Sequence, residues 1–274
     1  MAIKATRSIM LKYAIKHPFA AFNYVYELKK IKLNTKHSFN NPKGINQFIK
    51  YDDILDFLFL SKPEITGVCL TPNELFQFYN KNIQKIKQVY GDKQFSVISL
   101  DEAVTLYFSI LFQKPKIVVE TGVSDGMSSL FILKALDNLD IGKLYSVDFP
   151  DVGMPVVYGK EPGWIVPEQL KTKWDLLIGK SVRKLPKLLD MLGTIDIFIH
   201  DSEHSYQNMI FEFNCALQHI HVGSLIISDD VTSNLAYIES LKYSNRNLRT
   251  GFLINSDSDF AVTVVGEKII SQVI

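Results

Sequence analysis

From Lys116 onward, short apolar runs alternate with longer amphipathic stretches, and this rhythm is the strongest organising signal in the chain. The runs Ile117–Glu120, Leu144–Asp148, Trp174–Ile178, Ile195–His200 and Ser224–Ser228 have strand length and are rich in Val, Ile and Leu. Ser128–Asn138, Val182–Leu192 and Tyr206–Ile220 repeat their apolar positions at helical spacing. Strands alternating with helices predict βαβ units around a mostly parallel sheet. Gly251–Asn255 and Phe260–Val265 flank a Ser-Asp-Ser-Asp turn and predict a hairpin, giving the sheet an antiparallel C-terminal edge. The segment from Phe149 to Lys173 breaks the rhythm with Pro150, Pro155, Pro162, Pro167, Gly153, Gly163 and Trp164. A loop of that length inside a domain predicts a lid over a ligand.

Residues 1–95 have a different texture, of helices and loops, and read as a helical extension or cap on a domain spanning 96–274. Pro18 interrupts the first apolar stretch, Asn40–Gly44 is a turn cluster, and Gly44–Leu60 reads as a second helix. Thr71-Pro72-Asn73-Glu74 combines a capping residue, a proline suited to the first helical position and a capping-box glutamate. Ser99-Leu100-Asp101-Glu102 repeats the device and opens a helix towards Gln113.

Composition narrows the class. At 47% hydrophobic and 22% charged residues, the chain has the make-up of a globular protein with a sizeable core. No apolar run approaches the roughly 20 residues that span a bilayer, and no export signal is read at the N-terminus. Two cysteines, Cys69 and Cys215, make neither a disulfide framework nor a zinc pattern, so a cytoplasmic setting is expected. The net charge of +1 hides an asymmetry. Residues 1–50 carry ten Lys/Arg against one acid, Glu27, a local balance of +9 that leaves −8 for the rest. Such a basic stretch fits an anionic lipid surface, nucleic acid or an acidic substrate, or else a solvated helical face or an arm used in a homo-oligomer, and it carries no strong nucleic-acid signal.

The candidate chemistry lies where strands end. In an open α/β sheet the carboxyl ends of the strands face the ligand crevice. Ile195–His200 leads into Asp201-Ser-Glu-His204, and Ser224–Ser228 leads into Asp229-Asp230, so three carboxylates arrive together. Carboxylates that close repel one another unless a hard cation such as Mg²⁺ neutralises them. His204, three residues after Asp201, is placed to act as a base on whatever the cation holds. By strand alternation His200 points away from the crevice and reads as structural. Upstream, Glu120-Thr-Gly122-Val-Ser124-Asp-Gly126 sets a glycine-marked turn between a strand and a helix, suited to a nucleotide-like ligand. Asp148 ends the next strand, where an acid can accept hydrogen bonds from two ribose hydroxyls.

These residues resemble class I S-adenosylmethionine-dependent methyltransferases. Glu120-x-Gly122-x-x-x-Gly126 is similar to their first motif and Asp148 to their ribose acid. Asp201-x-x-His204 together with Asp229-Asp230 resembles the metal-dependent branch that includes macrocin-type sugar O-methyltransferases and cephalosporin-hydroxylase-like proteins, over roughly residues 99–266. The resemblance implies a Rossmann-like seven-strand sheet with S-adenosylmethionine across the carboxyl ends of its first strands. Glu120, Gly122, Ser124 and Gly126 would then shape the methionine end, Asp148 would hold ribose, and Lys180 and Ser181 would lie near adenine. Asp201, Asp229 and Asp230 would hold Mg²⁺ or another hard divalent cation, and His204 would be the base. Two positions depart from the pattern: Ser124 stands where a middle glycine is usual, and Lys180 where many relatives have Asp. The implied reaction is methyl transfer to a hydroxyl of a small molecule: a sugar, a catechol-like aromatic or a polyketide diol. A hydroxylase-like enzyme on the same fold, and a degenerate fold serving as a scaffold, are the alternatives.

Overall fold

Capping chemistry starts the N-terminal helices where the sequence predicts them. Thr71 accepts from the Glu74 backbone N–H while the Glu74 carboxylate accepts from that of Thr71, and Ser99 and Glu102 do the same one helix later. The computed structural model describes residues 46–59, 69–91, 97–149 and 160–268. The basic stretch before Asn46, with Pro18 and the Asn40–Gly44 turn, lies outside the described residues.

In chain order the elements are β1 (Asn46–Phe48), α1 (Tyr51–Leu58), α2 (Pro72–Tyr90), α3 (Leu100–Gln113), β2 (Ile117–Thr121) and α4 (Met127–Leu139). There follow β3 (Lys143–Asp148), α5 (Glu168–Lys171), β4 (Trp174–Ile178), α6 (Ser181–Leu192), β5 (Ile195–His200) and α7 (Tyr206–Ala216). The chain continues through β6 (Ile220–Ser228), α8 (Ala236–Tyr243), β7 (Arg246–Ile254) and β8 (Asp259–Lys268). The strands form one sheet in the order β1-β7-β8-β6-β5-β2-β3-β4. Of these, β8 alone runs antiparallel to its neighbours, lying between β6 and β7. The sheet is the expected Rossmann-like methyltransferase sheet with one strand more.

Period-two alternation assigns each strand residue to a face. Val118, Leu144, Ile197, Ile199, Leu225 and Ile227 pack against α1 to α4, while Val119, Val147, Phe198 and Ile226 pack against α6 to α8. Both faces are therefore covered, which is why these strands read as nearly continuous apolar runs.

Three expectations change. Gly44–Leu60 is not one helix: Asn46–Phe48 pairs in parallel with Gly251–Leu253, and the helix starts only at Tyr51. Pairing to an open sheet edge, a contact some 200 residues away, overrides the local pattern. The helix expected to reach Ile220 stops at Ala216, because Ile220 is needed opposite Ile195 in the sheet. The described half of the expected lid is packed rather than free. Ile165, Val166 and Leu170 are buried, and Gly163 lies against the Trp174 indole. Residues 150–159 of that segment lie outside the described residues.

The expected division at residue 95 does not coincide with a break in packing. Ile54, Leu55 and Leu58 of α1, and Leu75 and Ile86 of α2, join the same core cluster as the β2 and β5 residues. Phe78 and Tyr79 meet Phe131 of α4 ring to ring, at 5.3 and 6.2 Å. Leu58→Ala should therefore destabilise the whole domain by about 2–5 kcal/mol in a single transition. Denaturant unfolding followed by tryptophan fluorescence and by circular dichroism checks this, and two separated transitions would mean the N-terminal elements melt alone.

Candidate active site at the strand carboxyl ends

β2, β3, β4, β5 and β6 are mutually parallel, so their carboxyl ends share one rim. From β2 the chain moves outward through β3 to β4 on one side, whereas β5 and β6 lie on the other. A crevice opens at such a reversal. Ladder bonds continue past the strand ends and fix the loops there. Asp201 N–H donates to Thr121 C=O at 2.8 Å, Gly122 N–H to Val147 C=O at 2.9 Å, and Asp229 N–H to His200 C=O at 3.0 Å.

The turn 122–126 takes its shape from left-handed backbone at Gly122 (φ 85°), Ser124 (φ 51°) and Gly126 (φ 98°). Gly122 has no room for a side chain: a Cβ would lie 1.8 Å from the Asp201 carbonyl oxygen. The constraint at this glycine is thus the neighbouring loop of the same chain. Gly126 is similar, since its Cβ would lie 2.7 Å from Gly163 Cα. Ser124 N–H donates to the Asp148 carboxylate at 3.2 Å, and partial burial raises the Asp148 pKa above the ordinary carboxylate value.

Glu120 does not line the crevice. It is fully buried and accepts hydroxyl bonds from Ser128, Ser129 and Ser146 at 2.6, 2.6 and 2.7 Å. Burial pushes its pKa up to about 6 against those three bonds. Its place is under the turn, tying the first residues of α4 to β3. Lys180 is exposed at the start of α6, with Nζ 5.5 Å from the centre of the Phe149 ring. Ser181 Oγ donates to Asn208 Oδ1 at 3.2 Å.

The acid cluster forms, in a different grouping from the expected one. Asp201, Asp229 and His204 each offer a ligand atom, all within 4.8 Å of one another. Asp230, at φ 50°, instead places Oδ2 2.7 Å from His204 Nδ1. His204 Nε2 lies 3.7 Å from Asp201 Oδ1 and is buried without a hydrogen-bond partner. Desolvation, then the Asp229 charge, holds the Asp201 carboxyl well above the ordinary range. Desolvation likewise brings Asp229 up to about 6, although the His204 ring opposes the shift. Burial works against charging His204, but the Asp230 bond and the Asp230 and Asp229 charges outweigh it, so its pKa rises. Asp230 is lowered, chiefly by its bond to His204.

Sequence reasoning missed the support behind this cluster. His200 faces away, as alternation requires, and is fully buried with Nδ1 2.7 Å from Glu212 Oε2. Glu212 also accepts from Thr121 Oγ1 at 2.5 Å, Ser202 Oγ at 2.8 Å and Asn208 Nδ2 at 3.0 Å. A charge within the Met209, Phe213, Ala216 stripe of α7 was its signal. Glu102 does more than close its capping box. Its other oxygen accepts from Asp259 N–H at 3.1 Å, and burial together with the Asp229 charge lifts its pKa to about 8.

Residues 119–231 match the family model described as a methyltransferase domain, an interval that runs from β2 through Asp229 and Asp230. No curated protein matches the chain. Among solved structures, the cofactor-bound protein Rv0187 from MTB superposes with a TM-score of 0.54 at 14% identity, covering 73% of this chain and 100% of that one. The O-methyltransferase TomG from Streptomyces achromogenes, involved in tomaymycin synthesis and solved in complex with SAM, superposes with a TM-score of 0.52 at 13% identity. That match covers 80% of this chain and 97% of TomG. At these identities the structures speak for the fold, and the family model speaks for the domain. Among the described residues, no helix is long and apolar enough to cross a membrane. The strand order, the glycine turn at the reversal point and the family match together make residues 119–231 a methyltransferase domain on a Rossmann-like sheet.

Proposed function

We propose that the protein methylates a hydroxyl of a small molecule, with a hard divalent cation, Mg²⁺ first among them, held by Asp201 and Asp229. The observation that carries this reading is the convergence of those carboxylates and the partnerless His204 Nε2 beside the 122–126 turn. Two acids with raised pKa values, sharing a hydrogen bond, fit a site that a cation would relieve. Such an ion, when bound, would neutralise the pair and polarise a substrate hydroxyl. TomG, an O-methyltransferase in complex with SAM, supports the choice of donor and of an oxygen acceptor.

The residues then divide the work. Asp148 accepts ribose hydroxyls, the backbone at Gly122, Ser124 and Gly126 faces the methionine end, and Lys180, Ser181 and Phe149 border adenine. S-adenosylmethionine supplies the electrophilic methyl group. His204 Nε2 takes the hydroxyl proton. Asp230 on Nδ1 fixes the ring's orientation and stabilises the charge it gains, as a base with an orienting carboxylate does. This gives Asp230 a different task from the cation ligand that the sequence motif implies. Catalysis rests on alignment of the oxygen with the methyl group and on the local field. A substrate with two adjacent oxygens, such as a sugar, a catechol-like aromatic or a polyketide diol, fits a cation flanked by two carboxylates.

Two outcomes follow from this chemistry. Asp201, Asp229 (about 6) and Glu102 (about 8) have folded-state pKa values above their ordinary carboxylate values. Stability from such groups is present below about pH 4 and is lost as pH rises through the folded values. In EDTA, the melting temperature should decline from about pH 5 to 8.5, and Mg²⁺ should raise it more at about pH 8 than at 5.5. In Asp201→Asn and Asp229→Asn that increment should vanish, and an equal Mg²⁺ effect in wild type and both variants would remove the cation from this site. His204→Ala should bind cation and S-adenosylmethionine yet lose about 10²–10⁴-fold in turnover. Turnover close to wild type across about pH 6–9 would show that His204 is not the base.

A further inference from the structure

Asp125 has no part in the chemistry above, although it sits within the cofactor turn. It is 2% exposed, and its carboxylate accepts from the hydroxyl of Tyr90, at the end of α2, and from Trp164 Nε1 at 2.5 Å. Both donors are neutral. A carboxylate buried on neutral donors is an expensive way to fill space, and charge-assisted bonds of this kind are about twice as strong as neutral ones.

The same contact is reinforced along the backbone. Gly163 N–H donates to Ser124 C=O at 2.8 Å, and Ile165 N–H to Asp125 C=O at 3.3 Å. Gly126 meets Gly163 with no space for a Cβ on either side, since a Cβ at Gly163 would lie 2.1 Å from the Trp174 indole. Segment 163–165 is thereby laid against one side of the turn, while Asp201 and Ser202 close on the other at Gly122. Ser124 between them holds a left-handed conformation at φ 51°, which strains a non-glycine residue and persists only where the surroundings enforce it. Its N–H then points at Asp148.

We propose that Asp125 is a positioning residue for the cofactor site: gripped by Tyr90 and Trp164, it holds the Ser124 turn and its bond to Asp148 in place before the ligand arrives. The proposal rests on the reading that this turn and Asp148 bind S-adenosylmethionine. It also gives α2 a function, because the helix reaches the cofactor turn through Tyr90 while its own apolar face lies in the shared core.

Tyr90→Phe deletes one donor and leaves its ring in place, whereas Trp164→Phe deletes the other and shrinks the indole to a phenyl ring, so Tyr90→Phe is the cleaner test of the clasp; Asp125→Asn weakens the acceptor itself. Calorimetry with S-adenosylhomocysteine should show affinity falling about tenfold in each variant. KM for S-adenosylmethionine should rise in step while kcat at saturation changes far less, and Mg²⁺ affinity should hold. Effects in the Tyr90→Phe, Trp164→Phe double variant should fall short of additivity, since both donors act through one carboxylate. Variants that melt earlier but bind S-adenosylhomocysteine within about twofold of wild type would overturn the proposal, leaving Asp125 a packing device. Asp148→Ala separates the two levels. If it weakens binding and the clasp variants do not, the clasp alone fails; if it leaves binding unchanged, the cofactor assignment fails and the clasp with it.

Discussion

A peptide unit pressed against a glycine organises the site. The carbonyl of Asp201 lies so near Gly122 that no side chain fits there, and the Asp201 N–H is bonded to the preceding Thr121. The glycine turn after β2 and the acidic loop after β5 are thus placed in direct backbone contact across the point where the sheet order reverses. Under the proposed function, this contact brings a methyl donor at the one loop close to an acceptor oxygen at the other. Any residue with a Cβ at position 122 would force the two loops apart, and that geometric cost is independent of any ligand.

Beneath this contact, the rims are set by two buried acids, each of which gathers several hydrogen bonds from the fold. Glu120 collects three serine hydroxyls under the turn, and Glu212 collects His200, Thr121, Ser202 and Asn208 under the acidic loop. Each network spans several elements, so the loops it supports have little freedom to relax. A polar network centred on one carboxylate specifies one arrangement where an apolar contact would tolerate several. The carboxylates above are the opposite case. Asp201, Asp229 and Glu102 crowd one another, and burial followed by mutual repulsion raises their pKa values.

The segments flanking the methyltransferase domain contribute to the same site. Glu102 at the start of α3 binds the backbone of Asp259, and Ser99 meets Ser258 at 2.7 Å, so the hairpin tip between β7 and β8 is pinned beside the acidic loop. β1 covers β7 at the sheet edge, and α2 delivers Tyr90 to the turn. The match to the domain family ends at residue 231 and begins at 119, yet the residues that brace the crevice extend well beyond both limits.

Elements with strong local signals were legible in the sequence alone: the five parallel strands, the two capping boxes, the hairpin around Ser256–Asp259, and the candidate residues at strand ends. Periodicity and capping depend on neighbours within a few positions, so they survive without tertiary information. Three features were decided only by packing. Asn46–Phe48 became a strand because an open edge at Gly251–Leu253 was there to pair with. Asp230 turned to His204 because its left-handed backbone aims the carboxylate there, a direction that adjacency to Asp229 does not encode. Glu120 went under the turn rather than into the crevice because strand alternation points it at Ser128, Ser129 and Ser146. Residue types and spacing determine which groups arrive at a rim; side-chain direction and the competition among partners, which only the folded chain possesses, decide what each group then does.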